Sequence, residues 1–132
     1  MIKKLLNGTA GMTLIEIMVA ISIMVLVMGI VGVNVMKRFE KAKIQTTQTQ
    51  IKSLEQALEQ YYLDNGDYPT TDQGLEALAS GDYVKKVPKD PWKRNYAYTS
   101  PGVEGNPFEI TSAGPDKQEG TEDDIKSWEI EE

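Results

Sequence analysis

Gly11–Met36 reads GMTLIEIMVAISIMVLVMGIVGVNVM. From Ile17 to Met36 it carries twenty residues without a charge. As a helix such a run spans roughly 30 Å, the hydrocarbon thickness of a bilayer. One carboxylate, Glu16, stands at the head of the run, five residues after Gly11. A charged group inside a span costs about 2.5–3.5 kcal/mol on insertion scales, and a charge retained there points to a function. The plainer alternative is a glutamate lying at headgroup level.

The chain has 132 residues, enough for one modest domain. Beyond Met36 it carries 12 basic and 19 acidic side chains, a net charge of −7, and reads as water-soluble. That acidity argues against nucleic acid as a partner, because nucleic-acid binders show a basic face. There is no cysteine to staple the domain and no histidine. The commonest general base and the commonest transition-metal ligand are therefore missing.

The N-terminus begins with the basic Met1-Ile2-Lys3-Lys4. An ordinary secretory signal follows such a start with 7–15 apolar residues and then a small-residue cleavage site. Here the small residues Gly8–Gly11, GTAG, precede the apolar run, which is also too long. Cleavage after Gly11 would leave the greasy helix on the mature protein, create a new amine at Met12 and make Glu16 mature residue five.

Gly11-Met12-Thr13-Leu14-Ile15-Glu16 followed by about twenty apolar residues resembles the class III signal of type IV pilins and pseudopilins. The resemblance implies a prepilin peptidase that cuts after Gly11 and methylates the amine of Met12, where the family usually has Phe. It also implies a role for Glu16: in a bundle of such helices the Met12 amine of a neighbouring copy is its counter-charge. Removing one member of such a pair leaves an uncompensated buried charge, so the pair acts as a register device. The lysines and arginine after the span (Lys37, Arg38, Lys41, Lys43) outnumber Lys3 and Lys4 before it. A positive-inside count would therefore place the C-terminal side in the cytoplasm; the resemblance implies the reverse, with the domain outside. Gly29-Ile30-Val31-Gly32 is one residue shorter than the helix-dimer motif. The family's expectation is that this stretch, with Asn34, loosens on assembly.

No proline occurs between Met12 and Asp67. Ile44, Ile51, Leu54, Leu58 and Tyr61 fall near helical spacing, so one long helix is expected from Met12 to Leu63. Asn65-Gly66 and Pro69 end it. TTDQGLEALAS (Thr70–Ser80) is expected as a short second helix, with Thr71 or Asp72 as cap and Leu75 and Leu78 facing inward. Val87–Trp92, VPKDPW, is a rigid turn that plants Trp92. Tyr96–Thr99 and Phe108–Ser112 alternate as strands around a Pro101–Asn106 hairpin, and Trp128-Glu129-Ile130 is expected to close the sheet. Such a small core calls for an additional staple.

Ser112–Trp128 concentrates Asp116, Glu119, Glu122, Asp123 and Asp124. Calcium takes six to eight oxygens at about 2.3–2.6 Å, and a loop returning on itself could bring Asp116 against Asp123 and Asp124. The EF-hand spacing is absent, and by spacing alone a solvated acidic loop is the plainer reading.

Three segments together, YYLDNGDYPTTDQGLEAL (Tyr61–Leu78), DPW (Asp90–Trp92) and YAYTSPG (Tyr96–Gly102), resemble the major pseudopilins of bacterial type II secretion systems. The likeness runs from Gly11 to Trp128, with a shortened segment between Leu78 and Asp90. It implies one Ca²⁺ in the acidic loop. The carboxylates would come from Asp116, Asp123 and Asp124, a hydroxyl from Thr121, and backbone carbonyls from Ala113, where a leucine is usual, and Gln118.

The expected architecture is α+β and type IV pilin-like: a long N-terminal helix, membrane-spanning in its first half, packed on a small antiparallel sheet with a calcium-binding C-terminal loop. Residues 1–11 form the leader, 12–36 the transmembrane and assembly helix, and 37–132 the soluble domain with helix 37–63. The resemblance implies a non-enzymatic subunit that polymerises into a periplasmic pseudopilus. Its partners would be copies of itself, minor pseudopilins, the inner-membrane assembly platform and the prepilin peptidase. A type IV pilin for adhesion, motility or DNA uptake is the nearest rival; many of those carry a C-terminal disulfide, which this chain lacks. A membrane-tethered hydrolase using Asp123 and Asp124 lacks an accompanying nucleophile and base. A plain single-span anchor leaves the leader and Glu16 unexplained.

Overall fold

The computed structural model describes residues 11–130, so leader residues 1–10 lie outside the described residues. The chain divides into two compact units, with the boundary between Phe39 and Glu40. One helix, α1 (Leu14–Asn65), contributes to both. Its continuity follows from the sequence: no proline interrupts it, and polar side chains on it bond back to their own turns. Ser22 Oγ donates to Met18 O at 2.7 Å, for example.

In the first unit the apolar side chains of α1 from Leu14 to Met36 are exposed; Leu26 and Ile30 are each 69% so. Among the described residues α1 is the one helix long and apolar enough to cross a membrane. Gly29 and Gly32 lie within unbroken helix.

In the second unit α1 changes character. Thr47, Ile51, Leu54, Ala57 and Leu58 are buried at helical spacing, while Ile44 and Tyr61 at the ends of the expected stripe are half-buried. Thr47 enters this apolar face because its hydroxyl is satisfied locally, donating to Lys43 O at 2.9 Å. The helix stops at Asn65, where Gly66 adopts φ 83° and its N–H reaches Tyr62 O at 2.8 Å. The Asn65 side chain closes the same end by donating to Tyr61 O at 2.9 Å.

The second helix is shorter than expected. α2 covers only Glu76–Ser80, and neither Thr71 nor Asp72 caps it. The Thr71 hydroxyl instead donates to Ser100 O at 3.1 Å and accepts from Ser100 N at 2.9 Å, tying this turn to the distant hairpin. Just before it, Thr70 and Gln73 bond reciprocally, backbone to side chain, closing a separate turn.

Three antiparallel strands follow in the order β1 (Ala97–Thr99), β2 (Glu109–Ser112), β3 (Ile125–Lys126). Tyr98 pairs with Ile110, and Ser112 with Ile125. The sheet is closed by Ile125–Lys126 rather than by Trp128–Ile130; Ser127–Glu129 forms a 3₁₀ turn. The reason is a long-range bond: Ile110 N–H donates to the Ser127 hydroxyl at 3.1 Å, a side chain standing where a strand would have offered a carbonyl.

The core joins Ile51, Leu54, Ala57 and Leu58 of α1 with Leu75, Leu78, Tyr96, Tyr98 and Ile110. Tyr98 places its hydroxyl on Pro69 O at 2.8 Å, and Tyr96 donates to the Gln50 side-chain oxygen. Trp92 is buried as expected of the DPW turn. Its Nε1 donates to Glu40 at 3.3 Å, and the Lys43 ammonium stands 5.9 Å from the ring centroid.

Candidate functional site

The first site is the start of α1. Gly11, Met12 and Thr13 precede the helix in non-helical conformation. Thr13 stands at the N-cap position: its Oγ1 accepts the N–H of Glu16 at 3.3 Å, and its carbonyl accepts the N–H of Ile17 at 3.2 Å. Glu16 falls in the first turn, where its negative charge faces the positive end of the helix dipole. The sequence reading missed the part of Thr13; the spacing Thr13-x-x-Glu16 is a helix-start signature that would have found it.

The second site is the acidic loop after β2. It does return on itself, because Gly114 takes φ 70° and lies flat against the backbone of Asp123. A Cβ on residue 114 would overlap the Asp123 carbonyl oxygen and stand 3.0 Å from its carbonyl carbon. Across the loop Asp116 Oδ1 accepts the N–H of Gln118 at 2.9 Å, and Asp124 Oδ2 accepts the N–H of Gly120 at 2.7 Å. The Gln118 amide, with help from the Thr121 hydroxyl, holds the Asp116 carboxyl below the usual carboxylate range.

Thr121 is the point where the expected ligands meet. Its Oγ1 lies 3.2 Å from Gln118 O and 3.3 Å from Asp124 Oδ1, and it also serves Asp116. A hydroxyl has one proton to donate. Several acceptor oxygens around a single proton make an electron-rich nest of the kind that suits a hard cation. Ala113 is buried at the loop's start, and Asp123 is exposed. Among the described residues no three carboxylates converge into a metal-holding group. The structure thus gathers Asp116, Gln118, Thr121 and Asp124, and brings Ala113 and Asp123 together only through Gly114.

Two further polar residues, Asp90 of the DPW motif and Ser112 at the start of the loop, were not singled out for a role by the sequence, yet they support this loop from inside. Asp90 and Ser112 are both buried, 3% and 0% exposed, and they bond to each other at 2.7 Å.

A helix with a bare apolar first stretch, a small antiparallel sheet and an acidic C-terminal loop define the pilin-like class of subunit. Comparison with known proteins narrows it. Residues 34–128 match the family model described as type II secretion system (T2SS), protein G, and residues 6–32 match the prokaryotic N-terminal methylation motif. The chain is 41% identical to type II secretion system core protein G of Vibrio cholerae over 97% of both chains. It is 43% identical to the Escherichia coli K12 protein of the same name, covering 89% of this chain and 90% of that one. A crystal structure of the major pseudopilin from the type 2 secretion system of enterohaemorrhagic Escherichia coli superposes with a TM-score of 0.66. That match has 38% identity and covers 74% of this chain and 96% of the other. The chain belongs to the type II secretion system protein G family, a structural family of pseudopilins rather than of enzymes.

Proposed function

We propose that this chain is the structural subunit that polymerises into the periplasmic pseudopilus of a type II secretion system, where growth of the fibre drives folded proteins across the outer membrane. The reading is carried by the contiguity of two matches, a methylation motif over residues 6–32 and the protein G family over residues 34–128. It is supported by the apolar side chains of α1, exposed from Leu14 to Met36. The chain performs no catalysis of its own. It sits in the inner membrane by α1, with the domain on the periplasmic side, and is cut after Gly11 and methylated at Met12 by a prepilin peptidase. Each Glu16 pairs with the Met12 amine of the next copy as the helices leave lipid. Such a stack is a heterologous, non-closing assembly, as a fibre of one repeated contact requires. Minor pseudopilins and the inner-membrane assembly platform are its remaining partners.

The acidic loop holds one Ca²⁺ through Asp116, Asp123, Asp124 and Thr121, with the carbonyls of Ala113 and Gln118. The oxygen-rich surroundings of Thr121 support this set. A bound ion would supply the staple that a cysteine-free domain lacks, since a ligand bound only by the folded state stabilises it by mass action.

Deleting the gene tests the function. Folded exoproteins are expected to accumulate in the periplasm and to return to the medium when the wild-type chain is restored. Undiminished secretion in the deletion strain would sink the reading.

A further inference from the structure

Asp90 is a buried carboxylate whose two oxygens accept three hydrogen bonds. Its Oδ1 accepts the N–H groups of Trp92 at 3.1 Å and Arg94 at 2.8 Å, and its Oδ2 accepts the Ser112 hydroxyl at 2.7 Å. A carboxylate can only accept, so the Ser112 proton is committed to Asp90 and the Ser112 lone pairs are left to face elsewhere. They face the N–H of Gly114, which donates to Ser112 Oγ at 3.3 Å. Gly114 in turn lies against the Asp123 backbone. One line of contacts therefore runs from the DPW turn through the end of β2 to both flanks of the acidic loop, Ala113 on one side and Asp123 on the other.

We propose that Asp90 is a positioning residue for the calcium loop: acting through Ser112, it fixes Gly114 and hence the spacing between the Ala113 and Asp123 ends of the ion site. This rests on the calcium reading above. Asp90 does not touch the ion. By holding the Ser112 proton it fixes the rotor of that hydroxyl, and so keeps the Ser112 lone pairs turned to the Gly114 amide. Substitution by asparagine keeps the size and the acceptor for Trp92 and Arg94, but turns a donor toward Ser112. The Ser112 proton then loses its buried acceptor, and the hydroxyl must turn away from the orientation that serves Gly114.

The test uses the full chain in detergent micelles, as wild type, Asp90→Asn, Ser112→Ala and Asp124→Ala. Calcium Kd is measured by titration calorimetry at a temperature where far-UV circular dichroism reports each variant folded, and Tm is measured in calcium and in chelator. Asp90→Asn and Ser112→Ala are each expected to weaken calcium by roughly 10–100-fold, the usual effect of removing a support behind a metal ligand. The rise in Tm that calcium gives should shrink with it. Folded variants that keep the wild-type Kd, with Tm lowered equally in calcium and in chelator, would overturn the proposal and leave Asp90 a purely structural residue. If Asp90→Asn does not fold, Ser112→Ala decides alone. A wild-type chain that binds no calcium overturns the calcium reading itself, and Asp124→Ala with unchanged Kd overturns its ligand set.

Discussion

Glu16 has two demands on it. Locally it occupies the third position after the Thr13 cap, where a carboxylate favours the helix start by about 0.3–1 kcal/mol. It is the only charged side chain between Met12 and Met36, and in the proposed fibre its partner is the Met12 amine of the next copy. Glu16→Ala is therefore expected to leave the monomer in the membrane and folded but to abolish fibres, read by electron microscopy and cross-linking. Normal fibres from that variant would remove the pairing. At the other end of the chain, Gly114→Ala forces a Cβ into the Asp123 carbonyl at φ 70°. It should cost about 2–4 kcal/mol, combining left-handed strain with overpacking, seen as a lower Tm. What the sequence singled out at this scale was the charged and the odd: Glu16, the Gly11 junction and the acidic residues Asp116, Asp123 and Asp124, of which the fold brings Asp116 and Asp124 toward Thr121. It did not disclose that Thr47, Asp90 and Ser112 are buried, or that the last two are bonded to each other. A buried polar residue becomes acceptable only when distant or backbone partners satisfy it, and those partners exist only in the fold.

The elements repeat this contrast. Periodicity located α1, β1 and β2 to within about two residues, because helix and strand burial depend on local spacing. The cap of α2 and the closing strand were misplaced, because Thr71 and Ser127 spend their hydroxyls on Ser100 and Ile110, far along the chain. Within α1, Gly29 and Gly32 have nothing within 4 Å of where a Cβ would stand. Gly29→Ala and Gly32→Ala should therefore fit the isolated helix and strengthen it by about 0.5–1 kcal/mol each. If assembly needs that stretch to loosen, the double variant will form fibres more slowly at unchanged subunit levels. An unaltered rate would show that no melting is required. In the sheet, burial foremost and the nearby Asp90 charge raise the Tyr96 phenol above its ordinary value, and burial does the same to Tyr98. An unfolded chain gives up these protons near pH 10 while the folded one retains them, so the stability they represent is intact below that pH and declines as pH rises past it. Tyr96→Phe should lose about 1 kcal/mol at neutral pH with its bond to Gln50. It should also unfold less steeply between pH 10 and 12 in chemical denaturation; an identical alkaline slope would assign that loss to other groups.

The whole molecule is acidic, without a disulfide, and built on a helix whose first stretch has no cover in the monomer. A small core with no covalent staple would lean on the proposed Ca²⁺, so excess chelator is expected to lower the Tm of the second unit, and a melting curve indifferent to chelator would count against calcium. Acid acts in the same direction on the loop. The lowered pKa of Asp116 means its contribution is present above the ordinary carboxylate range and lost as pH falls through it. Acting together, the uncovered helix, Glu16 and the Gly11 junction make one claim: the subunit is trimmed so that a new positive end can meet the acid of the next copy. Intact-mass and N-terminal analysis of fibres collected from membranes tests this most directly. Subunits in the fibre are expected to begin at Met12 and to carry one added methyl group on that amine. Assembled fibres whose subunits retain residues 1–11 would contradict it.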